Sequence, residues 1–384
     1  MTVAPVVLVG LDTLQGLQAA RIFSKRRVPV IGVVSSFDHY TARTRLCDRV
    51  VPIGVRDVVD VLEEIGEGLS APGFLLPCHD NYVIAVANAQ DRLRRHFRIS
   101  LPPAATVMEL LEKAPFVELA NRIGMAIPTS VVIRSGAEVG PLPPALGYPL
   151  AVKPSVRTAA WMSAIGEKAV RVEDEAALAQ LLQDCQEATS AVIVQSWIEG
   201  DDADLYSCNG YFRDGQPLAT FTARKLRQWP PRAGQRCLGE EVTCPEVLNE
   251  TVLLARDTGY TGLLYVETKR DPATGRHFVI EPNVGRPTGR SAIAEAGGVE
   301  LLMTAYADAM GLELPKERVQ VHTGVKWIHI LRDIRSAWWY IRRGELSLGD
   351  WLSSIRGRKV YAVWSLRDPL PFLYALGGAF RGKM

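Results

Sequence analysis

The sequence predicts an α/β protein. A doubly wound parallel-sheet domain comes first, then a larger region of strands, hairpins and helices, then a basic helical tail. Three observations carry this. Short apolar runs alternate with helical periodicity through the first part of the chain. Two hairpins follow, one turning at Asp214-Gly215 and one at Asp271-Pro-Ala-Thr-Gly275. Finally, Leu331 to Met384 holds ten Lys/Arg against four Asp/Glu, a net +6, so the rest of this +2 chain carries −4.

Val6–Val9 is an apolar run ending at Gly10. Leu14, Leu17, Ala20 and Phe23 then share one helical face, and Val28–Val34 supplies a second strand. Arg49–Ile53 and Gly73–Pro77 add strands to this doubly wound unit, whose ligand sites lie at the carboxyl ends of strands. GLDTLQG, from Gly10 to Gly16, lacks the GxGxxG spacing, which argues against dinucleotide binding. Leu101-Pro102-Pro103 reads as a linker, and a helical stretch covers Val107–Ile123. Strands are expected over Pro149–Pro154, Ala169–Val172 and Ala191–Ser196, with a helix at Glu175–Gln186. The first hairpin spans Leu205–Phe212 and Gln216–Ala223, Pro245–Thr258 is helical, and Gly262–Arg270 pairs with Arg276–Pro282.

At 384 residues the chain suits roughly two to three domains. Its 47% hydrophobic and 22% charged residues are those of a soluble globular protein, and its net charge gives no argument for nucleic acid. Six scattered cysteines without a CxxC pair read as free thiols of a reducing compartment, and the six histidines show no HExxH spacing. The apolar N-terminus lacks a basic leader and reads as a strand rather than a signal peptide, and no stretch approaches the ~18 apolar residues of a spanning helix. A cytoplasmic monomer or homodimer is expected.

The chemistry concentrates in the second hairpin, GLLYVETKRDPATGRHFVIEPN. Glu281 and Asn283 alternate onto one strand face. Pairing Arg270 with Arg276, or Asp271 with His277, brings Glu267 to that same face, opposite Val279 or Glu281. Two carboxylates and an amide oxygen form a hard oxygen site suited to Mg²⁺, with a solvated strand face as the competing reading.

Four segments in order then bear on that choice: Glu112-Lys113, Ala151-Val-Lys-Pro-Ser155, Ile193-Val-Gln-Ser-Trp-Ile-Glu-Gly200 followed by Asp201 and Asp202, and Tyr265-Val-Glu267 with Ile280-Glu-Pro-Asn283. Their order and spacing resemble the ATP-grasp superfamily, especially its carboxylate–amine ligases, over roughly residues 5–315. The resemblance implies a Rossmann-like domain (1–105), two ATP-grasp lobes (106–192 and 193–315) and a C-terminal extension (316–384). It places Lys113 and Lys153 against ATP phosphates, and Glu267, Glu281 and Asn283 around Mg²⁺, or Mn²⁺ in its place. Gln195, Trp197 and Ile198 become the hinge that reads and covers adenine, and Asp202 or Asp204 holds the ribose. Lys225 and Arg227 fall where the family has a phosphate-contacting base, and Arg286, with Arg290, where an arginine stabilises developing charge. For these loop cations a solvated surface is the competing reading.

Two departures stand out. Ser155–Trp161 is not glycine-rich, so phosphate-loop closure would rest on Ser155, Arg157 and Thr158. Arg286 follows Asn283 by three residues, with Gly285 between, where the family commonly has two.

The implied reaction is amide formation through an acyl phosphate, releasing ADP and phosphate, with an amino acid as one substrate. Asp80, after the strand ending at Cys78, is a candidate for the substrate ammonium, although a helix N-cap explains it as well. Other ATP-grasp chemistries, a carboxylase or an acid–thiol ligase, and a non-catalytic ATP-binding regulator remain alternatives. The tail holds Trp338, Trp339, Trp351 and Trp364 beside its positive charge, which suits either peripheral contact with anionic lipid or a helical appendage packed on the core; the packed form is favoured.

Overall fold

The computed structural model describes residues 3–134, 142–156, 158–232 and 234–380, which contain three sheets. β1 (Val6–Val9), β2 (Val30–Val34), β3 (Arg49–Pro52), β4 (Gly73–Pro77) and β5 (Phe97–Ile99) form a wholly parallel sheet in the order β3-β2-β1-β4-β5. Alternate residues of β1 enter different cores: Val6 and Leu8 pack with Phe23 of one helix, Val7 and Val9 with Leu62 and Ile65 of another. Burial on both faces explains why this strand is apolar throughout rather than alternating. The first strand–helix turn is filled by the protein itself. Tyr82 packs on Gly10, and Asp12 accepts hydrogen bonds from the Ser35 and Ser36 amides at 2.9 and 3.1 Å.

The second sheet is antiparallel, in the order β6-β9-β7-β8, from β6 (Ser130–Arg134), β7 (Leu150–Pro154), β8 (Val170–Val172) and β9 (Ala191–Ser196). The expected lobe boundary at 192/193 falls inside β9, which belongs wholly to this sheet. The helical stretch expected over 107–123 is two helices, Ala104–Leu111 and Lys113–Arg122. Glu112 between them is extended (φ −85°, ψ 129°), so Lys113 opens the second helix.

The third sheet has seven strands, ordered β14-β13-β10-β11-β12-β15-β16. These are β10 (Leu205–Arg213), β11 (Gln216–Trp229), β12 (Gln235–Glu241), β13 (Gly262–Arg270), β14 (His277–Val284), β15 (Lys326–Ile328) and β16 (Lys359–Tyr361). The C-terminal extension is therefore more than a helical appendage. It adds β15 to β12 and β16 to β15, so its residues reach the same surface as the carboxylate hairpin. A buried cluster holds it in place: Arg227 grips Asp333 at 2.9 and 3.1 Å, and Trp351 donates to the same carboxylate at 3.0 Å. Among the described residues no helix is long and apolar enough to cross a membrane, and all six cysteines are free, five of them buried.

Candidate active site

The carboxylate hairpin reaches its geometry by an unexpected route. Neither turn pairing expected from sequence forms: Arg270 pairs with His277, and Thr268 with Val279. Continued regularly, that register would set Glu267 opposite Ile280 and on the wrong face. A β-bulge at this point restores the alignment, so that Glu267 lies directly opposite Glu281 and Tyr265 opposite Asn283. The two carboxylates thus form a cross-strand pair, an arrangement that like charges disfavour without nearby cations.

The cations are present. A cavity of about 530 Å³ opens over the hairpin. Among the described residues it is lined by Lys113, Lys153, Lys168, Lys225, Arg236, Arg286, Arg290 and Arg332, against only Asp80, Glu267 and Glu281. Eight cations facing three acids, in a recess rather than on open surface, favour a polyanionic ligand.

Glu267 is held by this field. Burial raises its pKa, but Lys225 at 3.6 Å, an ion pair with Arg290, the Tyr265 hydroxyl and Arg236 outweigh that and bring it to about 2. Burial lowers the Lys225 pKa against the pull of Glu267, and its ammonium also donates to Gln228 at 3.0 Å. Glu281 is exposed and has no ion-pair or hydrogen-bond partner among the described residues. Asn283 accepts from Arg286 at 2.5 Å.

The opposite flank carries the lysines. Lys153 projects from β7 and donates to Gln195 of β9 at 2.9 Å, while Gln195 donates to Ser130. Burial, partly offset by Glu281, lowers the Lys153 pKa to about 8. Lys113 stands beside it because Ser155 grips the start of the Lys113–Arg122 helix: the Ser155 carbonyl accepts from the Lys113 amide at 3.3 Å and its hydroxyl from the Ala114 amide at 3.2 Å. A smaller apolar recess adjoins the cavity here, lined by Leu110, Phe116, Ile193, Gln195 and Ile280 together with both lysines.

Several expected site residues are placed elsewhere. Arg227 is turned away. A bulge between Lys225 and Arg227 breaks the two-residue alternation that would have aligned them, and Arg227 instead enters the Asp333 cluster. Ser155 and Thr158 are spent on backbone, the latter capping a helix at Trp161 and donating to Ala188; Arg157 lies outside the described residues. Asp202 is buried and takes hydrogen bonds from the Gln228 amide and side chain and from Tyr340. Asp204 caps its own turn at Asp201. Trp197 lies between Arg171 and Lys269, and neither it nor Ile198 lines a cavity described above. Asp80 is not the N-cap; His79 is, and Asp80 instead makes a two-pronged ion pair with Arg286 at 2.5 and 3.1 Å. Gly285 explains the extra residue before Arg286. At φ +67° it makes the turn, and a Cβ there would lie 2.3 Å from Leu101.

Arg236 escaped the sequence reading. Its side chain is almost wholly buried, donates only to Ser207, and leaves Nε and Nη1 without an acceptor among the described residues. Burial, and next Arg290, lower its pKa to about 9. The available signal was an arginine inside QRCLGEE, but β12 itself was not recognised because its run holds few β-formers and a glycine.

The fold that carries this cavity is shared with solved structures. The chain superposes on an L-amino acid ligase from Bacillus licheniformis (TM-score 0.59, 15% identity, covering 81% of this chain and 75% of that one). It does so equally on an N5-carboxyaminoimidazole synthetase from Staphylococcus aureus, solved with ADP (0.62, 14%, 81% and 78%). A biotin carboxylase from Campylobacter jejuni, solved as a β,γ-ATP complex, matches likewise (0.60, 14%, 81% and 72%). No protein-family model and no curated protein sequence matches the chain. At these identities the likeness is one of fold: the chain has the ATP-grasp fold, as its motif order led us to expect.

Proposed function

We propose that the chain is an ATP-dependent, ADP-forming ligase that joins a carboxylate to an amine, with an amino acid as one partner. The observation that carries this is the cross-strand Glu267–Glu281 pair in one cavity with cations from both flanks, Lys113 and Lys153 on one and Lys225, Arg236 and Arg290 on the other. Glu281 and Asn283, with Glu267 behind them, suit a magnesium or manganese ion, since all three offer oxygen and Glu281 has none of its oxygens engaged among the described residues. The apolar recess beside Lys113 and Lys153 suits a purine, with Gln195 at its edge. ATP supplies the phosphoryl group that converts the acid to an acyl phosphate, which the amine opens to the amide with release of phosphate.

The residues then act by position and charge. Lys113 and Lys153 neutralise phosphate oxygens on one flank, and Lys225 and Arg290 face the acid on the other. Arg286, fixed by Asp80 and Asn283, brings a guanidinium from the hairpin against the parallel-sheet domain. The leaving groups, ADP in the first step and phosphate in the second, depart as anions without a proton donor, and the proton that the amine sheds as the amide forms passes to the departing phosphate or to solvent. An ADP-release screen over pairs of acids and amines, with Mg²⁺, tests the reading; turnover only with bicarbonate or only with a thiol would overturn it.

Lys153 gives a pH prediction. Its ammonium, charged below about 8 and neutral above, is what attracts phosphate. Affinity for a Mg²⁺–ATP analogue is expected to fall as pH rises through about 8, and Lys153→Met to remove roughly one proton from that dependence, as read by calorimetry across pH 7–10.

A further inference from the structure

The C-terminal extension brings two side chains to the cavity that the proposed chemistry does not use, Arg332 and Trp327. Trp327 of β15 is 3% exposed and lines the cavity, and its indole N–H has no acceptor among the described residues. A buried tryptophan ordinarily finds one, so an orphaned N–H at a cavity wall points to a ligand oxygen. Trp327 pairs directly with Gly239 of β12, and the stem of Arg236 lies across that glycine, within 2.8 Å of where a Cβ would be. The glycine therefore lets the Arg236 stem cross the strand at the position paired with Trp327. Arg236, 7% exposed, likewise leaves two nitrogens unsatisfied, and so does the Nε of Arg290.

Four buried donor nitrogens without acceptors among the described residues, on three residues, line this cavity, and β12 and β15 carry two of those residues on the far side of Glu267 from β14 and its Glu281. The phosphate-facing lysines belong to the recess, so this end falls to the second substrate. We propose that Arg236 and Trp327 form a subsite for the carboxylate of the acid substrate, and that this acid carries no free ammonium beside its carboxylate. This assignment of the acid rests on the ligase reading. Among the described residues an ammonium would meet no available counter-charge at this end: Asp80 is held by Arg286, Glu267 by Lys225 and Arg290, and Glu281 lies toward Lys153. The amino acid would accordingly enter as the amine.

The test is calorimetric binding, to the full chain saturated with Mg²⁺–AMPPNP, of simple mono- and dicarboxylic acids, the twenty amino acids and their N-acetyl derivatives. Trp327→Phe keeps the ring and removes the donor; for the best-binding acid its Kd is expected to rise about tenfold. Arg236→Gln is expected to raise it about a hundredfold, and neither variant to change AMPPNP affinity more than about twofold. Acid binding indifferent to both substitutions overturns the subsite, as does the absence of binding by any acid in the panel. Free amino acids binding more tightly than their N-acetyl forms, with that preference lost in Arg236→Gln, overturn the substrate class, since an amino acid bound only as the amine would be indifferent to Arg236. Failure of AMPPNP to bind the wild type, with Arg236-dependent acid binding intact, sinks the ligase reading and leaves the subsite standing.

Discussion

Glu281→Ala is expected to lower ATP turnover by about three orders of magnitude, roughly 4 kcal/mol of transition-state stabilisation, while leaving the melting temperature almost unchanged. The separation of the two effects follows from burial. Glu281 is exposed and makes no ion pair or hydrogen bond among the described residues, so its removal breaks no direct contact and takes away only its longer-range pull on Lys153. Its neighbour across the strand pair behaves differently. Glu267 is the counter-charge for Lys225 and Arg290, and Arg236 lies close behind. Glu267→Ala leaves those cations facing one another in a recess, and is expected to cost about 3 kcal/mol of stability as well as turnover. Steady-state ADP release and urea denaturation of the two variants check this. An active Glu281→Ala protein would remove the metal role, and equal stability losses in both would remove the distinction between an available carboxylate and a committed one.

The same pair shows what the sequence could and could not reveal. Motif order and strand alternation were enough to bring Glu267, Glu281 and Asn283 together, because the order of segments and a two-residue period are properties of the chain itself. The bulge that aligns them was not legible, since it depends on how two strands settle against each other over a core. The bulge between Lys225 and Arg227 was equally illegible: the family resemblance offered both as phosphate contacts, and the bulge separates them, leaving Lys225 at the cavity and Arg227 with Asp333. Ser155 and Asp202 are engaged within the protein itself, because a polar residue near a ligand site can as readily satisfy backbone or a neighbouring side chain. Arg236 and Trp327 were missed because their significance lies in what they lack, an acceptor, which only tertiary packing discloses. The parallel-sheet domain was the most readable part, its strands being short, apolar and separated by helical periodicity.

Arg227 supplies the second large effect. Asp333 is fully buried, and the Arg227 side chain is 7% exposed. The carboxylate takes both arms of the guanidinium and the Trp351 indole, while Arg227 also donates to Ser354 at 2.8 Å. One partner belongs to β11 of the seven-stranded sheet, and the others to the extension that carries β15. Asp333→Ala is expected to destabilise the protein by about 3–5 kcal/mol, because it leaves a guanidinium buried without its counter-ion. Asp333→Leu combined with Arg227→Met should recover most of that loss: removing both charges removes the desolvation cost along with the attraction, and the double-mutant cycle measures their coupling. Hydrogen exchange locates the effect. In Asp333→Ala the amides of β15 and β16 are expected to lose protection before those of β13 and β14, because the cluster fastens only the extension's edge of the sheet. Since β15 also presents Trp327 to the cavity, loosening that edge is expected to weaken acid binding more than nucleotide binding. Uniform loss of protection across all seven strands would show that the extension folds as one unit with the sheet, and that Arg227 and Asp333 support the whole lobe.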